Sequence, residues 1–128
     1  MAFRPARRPN ATDDGHGAVA GNDMRVLVIG LGSIGKRHVG NLEALGLACG
    51  SIALLRRKES ANPFGDEVLR AHPGHAVFHD LTDALLGHRP QAVVVSSPNA
   101  LHVPAALAAA RAGAHVLVEK PLSHSLQG

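Results

Sequence analysis

A chain of 128 residues can supply one domain with a real core but is too short for two ordinary ones. Its 45% hydrophobic and 18% charged residues are a globular balance, and no apolar run approaches the length that spans a membrane. The formal charge of +3 equals the contribution of Arg4, Arg7 and Arg8 alone, and Trp and Tyr are absent, so neither a basic footprint nor a stacking platform for nucleic acid is present.

Residues 1–23 mix Arg, Pro, Gly, Asn and Asp without apolar periodicity and read as a disordered extension. They lack the apolar segment and small-residue cleavage site of a secretory signal. Met24 directly precedes the first strand and is read as the natural initiator, with the preceding segment a gene-start artefact. The folded domain is expected over residues 24–128.

Val26, Leu27, Val28 and Ile29 form a short continuous apolar run, the pattern of a strand buried on both faces of a parallel sheet. Gly30, Gly32 and Gly35 then give G-x-G-x-x-G before a helix. In a dinucleotide-binding loop the first glycine permits the tight turn, the second lets backbone approach a pyrophosphate, and the third allows close packing of helix on strand. The backbone amides that open the following helix would face the anion. Gly30 to Lys36 also satisfies G-x-x-x-x-G-K, but Arg37 stands where a triphosphate loop needs a Ser or Thr hydroxyl for Mg²⁺. A methyltransferase loop, or a glycine turn that serves packing alone, are the other readings of the same residues.

Ile34, His38, Leu42 and Leu45 lie at helical spacing, and Gly46 is placed to stop the helix. A second strand is expected at 51–55. The residue that closes this strand, roughly 20 to 25 positions past the first glycine, often reads the adenosine ribose: an acid takes the 2′-hydroxyl of NAD, and Arg accommodates the 2′-phosphate of NADP. Arg56, Arg57 and Lys58 stand there, with Glu59 too late. They read either as a preference for NADP or as a solvated basic turn.

A short helix is expected over 67–70. His72, His75 and His79 resemble a metal cluster, but Pro73 and Gly74 break any helical face and no cysteine or second carboxylate pattern joins them, so a structural or solvent role is preferred and no metal is assigned. A third strand is read at Ala76 to Phe78, and a small helix at 83–86 capped by Asp80 or Thr82 and ended by Arg89-Pro90. The fourth strand, Ala92 to Val95, exits into Ser96, Ser97, Pro98 and Asn99, followed by a helix from Leu101 to Ala112 closed by Gly113. Turn chemistry and an N-cap at Asn99 explain this loop structurally; its place at the carboxyl end of the strand beside the first explains it functionally. The fifth strand, His115 to Val118, ends in Glu119, Lys120 and Pro121, charges that packing alone would not select. The strand order implied is 3-2-1-4-5, a Rossmann-type doubly wound parallel α/β sheet. Cys49 is the only cysteine, so no intramolecular disulfide forms, and a reducing cytoplasm is the natural setting.

Three motifs in order, GLGSIGKRH, SSPNALH with Pro104, and HVLVEKP, make residues 24–127 resemble the amino-terminal domain of the Gfo/Idh/MocA oxidoreductases. The resemblance implies an NAD(P)-dependent enzyme acting on CH–OH groups of sugars, cyclitols and related compounds, homo-oligomeric in its full-length form. It implies that Gly32, Ser33 and Ile34 hold the pyrophosphate, and that Ser96 to Asn99, with His102, line the adenosine-to-nicotinamide path. Glu119 would accept from a ribose hydroxyl, and Lys120 would orient the substrate hydroxyl and stabilise developing alkoxide charge. Family members carry a general acid/base histidine in a second, substrate-binding domain, and none of the nine histidines matches it. The expectation is a cofactor-binding half, inactive alone; a non-catalytic dinucleotide module that awaits a partner chain is the alternative.

Overall fold

Each short apolar run becomes a strand: β1 (Val26–Ile29), β2 (Ile52–Leu55), β3 (Ala76–Phe78), β4 (Ala92–Val95) and β5 (His115–Val118). In the computed structural model, which describes residues 23–58, 63–123 and 125–126, these strands form one parallel sheet in the order β3-β2-β1-β4-β5. The order is the one the sequence predicts. The expectations for residues 1–22, Glu59 and Gln127 lie outside the described residues.

β1 sits at the centre, with Val28 opposite Leu54 on one side and Val94 on the other. Because successive side chains point to opposite faces, the central strands feed two cores. Leu27 and Ile29 pack with Ala53, Leu55, Val93 and Val95 beneath α3 (Leu81–His88) and α4 (His102–Arg111), which contribute Ala84, Ala105 and Ala109. Val26 and Val28 pack with Ile52, Leu54 and Val94 beneath α1 (Ser33–Ala44) and α2 (Pro63–Ala71), which contribute Val39 and Val68. Helices on both faces are what the continuous apolar runs demand, since the central strands β1, β2 and β4 bury both of their sides, while the edge strands β3 and β5 stay partly exposed.

Helix boundaries and faces differ from the sequence expectation in instructive ways. The buried positions of α1 are Gly35 and Val39, whereas Ile34 and Leu45 are 42% and 72% exposed. The helix is turned so that its glycine, rather than the line through Ile34, faces the sheet. α2 begins at Pro63, ahead of the expected 67–70, because a proline in the first turn gives up an amide that has no helical partner. α3 is capped by Asp80, whose carboxylate accepts from the Asp83 amide at 2.9 Å, and not by Thr82. A single 3-10 turn, Asn99–Leu101, precedes α4, so Asn99 does not cap that helix.

At the amino ends of β2 and β3 the histidines acquire a structural role. His72 Nδ1 and His75 Nε2 meet the two oxygens of Glu43 at 2.8 and 2.7 Å, and His75 Nδ1 lies 3.1 Å from the Cys49 carbonyl. His79 is elsewhere, 2.7 Å from the carbonyl of Arg56. Among the described residues no three such side chains converge as metal ligands. Burial alone would raise the Glu43 carboxyl, but the hydrogen bonds from His75 and then His72 outweigh it and hold it below the ordinary carboxylate value. A folded-state value below the unfolded one means the unfolded chain binds more protons across that interval, so stability is present above the ordinary carboxylate range and lost as pH falls through the lowered value. Urea unfolding across the acid range should therefore show a steep loss in the wild type and a flatter limb in Glu43→Gln.

Candidate dinucleotide-binding site

The carboxyl ends of β1, β2 and β4 open into one cleft of about 840 Å³. Its wall includes Gly30, Gly32, Ser33 and Ile34 from the glycine turn, Arg56 and Arg57 after β2, and Ser96, Ser97 and Pro98 after β4. Each glycine has a different steric reason. Gly30 has φ +91°, and a Cβ there would stand 2.6 Å from the Ser97 amide nitrogen. Gly35 lies against the turn itself: its Cβ would fall 2.0 Å from the Gly30 carbonyl oxygen. Gly32 is the opposite case, because an added Cβ meets nothing within 4 Å. That open direction belongs to the residue that precedes α1, where no side chain caps the helix and no acid occupies the first turn. Free amides at a helix amino terminus attract an anion.

The loop after β4 divides its work between two serines. Ser96 ties the turn to β1: its amide donates to the Ile29 carbonyl at 2.8 Å, and its hydroxyl lies 3.0 Å from both the Ile29 and Gly30 carbonyls. Ser97 Oγ is buried with no hydrogen-bond partner among the described residues, although its residue lines the cleft. A buried hydroxyl without a partner is costly unless a ligand completes it. The open cradle at Gly32, the uncapped helix and this orphaned hydroxyl together fit a phosphate-bearing dinucleotide.

His102, expected along the path, is instead 1% exposed. Its Nε2 lies 2.5 Å from the Ser97 carbonyl and its Nδ1 2.9 Å from the Pro121 carbonyl, so it fastens the loop after β4 to the segment after β5. Asn99 is exposed and stands outside the cleft wall. Glu119 continues the sheet through its amide, which donates to the Val95 carbonyl at 3.0 Å, while its Oε1 lies 2.5 Å from His38 Nε2. Lys120 is exposed and precedes a cis bond to Pro121. His38 is the site residue that sequence reasoning read only as part of a helix face. Its place one turn beyond Gly35 was the available signal; its partner, 81 residues away, was not.

The basic segment after β2 is not simply solvated. Arg56 is ion-paired with Asp66 in the first turn of α2, and Lys36 of α1 with Glu67 beside it. The hydrogen bond from Arg56 holds the Asp66 carboxyl below its ordinary value, as the one from Lys36 does for Glu67. Arg57 is exposed on the cleft wall.

A parallel sheet of this order, with a glycine turn opening at its carboxyl edge, defines a Rossmann-type dinucleotide-binding domain. The chain belongs to the Gfo/Idh/MocA oxidoreductase family, whose NAD-binding Rossmann-fold profile matches residues 24–128. It is 33% identical over 103 residues to 4-carboxy-2-hydroxymuconate-6-semialdehyde dehydrogenase of Sphingobium sp., covering 80% of this chain and 31% of that protein. Inositol 2-dehydrogenase of Rhodococcus erythropolis is 31% identical over 101 residues, covering 79% of this chain and 28% of its own length. Among solved structures, WlbA dehydrogenase from Bordetella pertussis in complex with NADH and UDP-GlcNAcA matches with a TM-score of 0.63 at 30% identity, over 78% of this chain and 29% of that one. The chain thus spans under a third of the length of these relatives. No helix among the described residues is long and apolar enough to cross a membrane.

His102→Ala removes both carbonyl contacts and leaves a buried void. It should lower the unfolding free energy by about 2–4 kcal/mol, read from urea denaturation.

Proposed function

We propose that this domain binds NAD(P)(H) in the cleft and serves an oxidoreductase that interconverts a hydroxyl and a carbonyl on a sugar, cyclitol or related compound. The observation that carries the reading is the uncapped start of α1 at Gly32, open toward the cleft that Ser97 also lines. Backbone amides at Ser33 and Ile34 hold the pyrophosphate, with the positive end of the helix dipole behind them. Ser97 Oγ, which lacks a protein partner among the described residues, donates to the bound dinucleotide. Glu119, with one oxygen facing His38, offers the other to a ribose hydroxyl. When bound, the nicotinamide supplies the hydride chemistry. Lys120 orients the substrate hydroxyl and stabilises negative charge as it develops on that oxygen.

Two of the three relatives named above support this substrate class: one is an inositol dehydrogenase, and another was solved with UDP-GlcNAcA. Arg56 and Arg57 on the cleft wall favour NADP(H) through its 2′-phosphate. The exposed thiol of Cys49 fits a cytoplasmic setting. The substrate is met chiefly by a second domain, so the 128-residue chain by itself binds cofactor without turnover. A second reading, a dinucleotide-binding module completed by a partner chain, is favoured by exposed Leu117 and Leu122 on either side of exposed Lys120 in the chain.

Gly32→Val separates binding from folding. Its Cβ meets no protein atom, so thermal unfolding should match the wild type, while the added side chain intrudes on the pyrophosphate and weakens NADH and NADPH binding by about tenfold or more. Equal cofactor affinity in this variant would overturn the site. For the chain itself, calorimetric titration should give saturable binding of a reduced dinucleotide, and steady-state assays with inositols and sugars should show no turnover. Robust dehydrogenase activity would refute the half-enzyme reading.

A further inference from the structure

Arg56 is gripped on three sides. Its amide donates to the Phe78 carbonyl at 2.9 Å, and its own carbonyl lies 2.7 Å from His79 Nδ1, which fixes the backbone against the end of β3. Its guanidinium pairs with Asp66 and lies against Gly65, where a Cβ would stand 2.7 Å from Nε and 2.9 Å from Cζ. A side chain here would have to push the guanidinium aside. The arginine side chain is 15% exposed, while the Asp66 side chain is 58% exposed and remains a charge at the solvent rim. Arg56 and Gly65 both line the cleft.

We propose that Asp66 determines how far this cleft distinguishes NADPH from NADH, by setting the charge that Arg56 presents to the adenosine ribose. The proposal rests on the reading of Arg56 as the partner of a 2′-phosphate. A dianionic phosphate that reaches this guanidinium also meets the carboxylate that holds it, so the attraction is partly cancelled. A neutral 2′-hydroxyl meets no such penalty. Asp66 thereby narrows a preference that the basic run alone would make large, and acts on the cofactor through Arg56 as a positioning residue. At a rim wet enough to screen it, one such charge alters affinity by about three- to tenfold.

The test is equilibrium binding of NADH and NADPH to the 128-residue chain, followed by nicotinamide fluorescence, which no tryptophan complicates. In Asp66→Asn, NADPH should bind about three- to tenfold more tightly and NADH should change by less than about twofold. Asp66→Glu keeps the charge and should restore the wild-type ratio. Glu67→Gln, which loses the neighbouring acid that pairs with Lys36, should leave the ratio alone. A ratio unchanged in Asp66→Asn, or equal shifts for both cofactors, would reduce Asp66 to a structural role and overturn the proposal. Arg56→Gln tests the reading beneath it: preferential loss of NADPH binding supports that reading, and an unchanged ratio removes it and the proposal together. A preferential loss there with no effect of Asp66→Asn sinks the proposal alone.

Discussion

The approach of α1 to the turn that launches it governs the rest of the molecule. Gly35 sits so close to the Gly30 carbonyl that no side chain fits between them. This contact sets the rotation of the helix, turns Val39 into the core and leaves Ile34 at the cleft. It also points the start of the helix along the carboxyl edge of the sheet. The same closeness lets one hydroxyl, that of Ser96, reach the carbonyls of both Ile29 and Gly30. An alanine at Gly35 would thus disturb strand, helix and the neighbouring loop at once, whereas a side chain at Gly32 disturbs only what enters from outside.

The fold was legible because its central strands are buried on both faces, and such strands leave a plain mark of four apolar residues in a row. β1, β2 and β4 carry that mark, and the glycine turn after β1 and the serine turn after β4 locate the edge where ligands gather. Helix faces were less legible. Sequence spacing ranks Ile34 above Gly35 as an interior residue, because hydrophobicity says nothing about how near a backbone must come. The start of α2 was hidden for a related reason: Pro63 suits a first turn and Gly65 admits a guanidinium, neither of which apolar spacing reveals.

Within the site, residue type was a better guide to location than to task. The residues after β1, β2 and β4 do share a cleft, but His102 serves its two loops from inside the protein. His38 with Glu119, and Glu43 with His72 and His75, could not be paired in advance, since their partners lie between 29 and 81 residues apart. Such contacts follow from topology. The sheet order brings the end of β5 within reach of the first turns of α1, and the carboxyl end of that helix returns to the amino ends of the strands.

The sheet order has a consequence for how such a domain can be altered. Arg56 leaves β2 and Lys120 follows β5, three strand spacings apart, a gap of about 14 Å. The first is held by α2, and the second belongs to a segment fastened by the opening residue of α4 on the opposite face. α2 and α4 pack on opposite faces of the sheet, so Arg56 and Lys120 hang from separate supports. A protein built this way can exchange one end without retuning the other: the turn after β2 is free to drift under mutation while the segment after β5 keeps its footing.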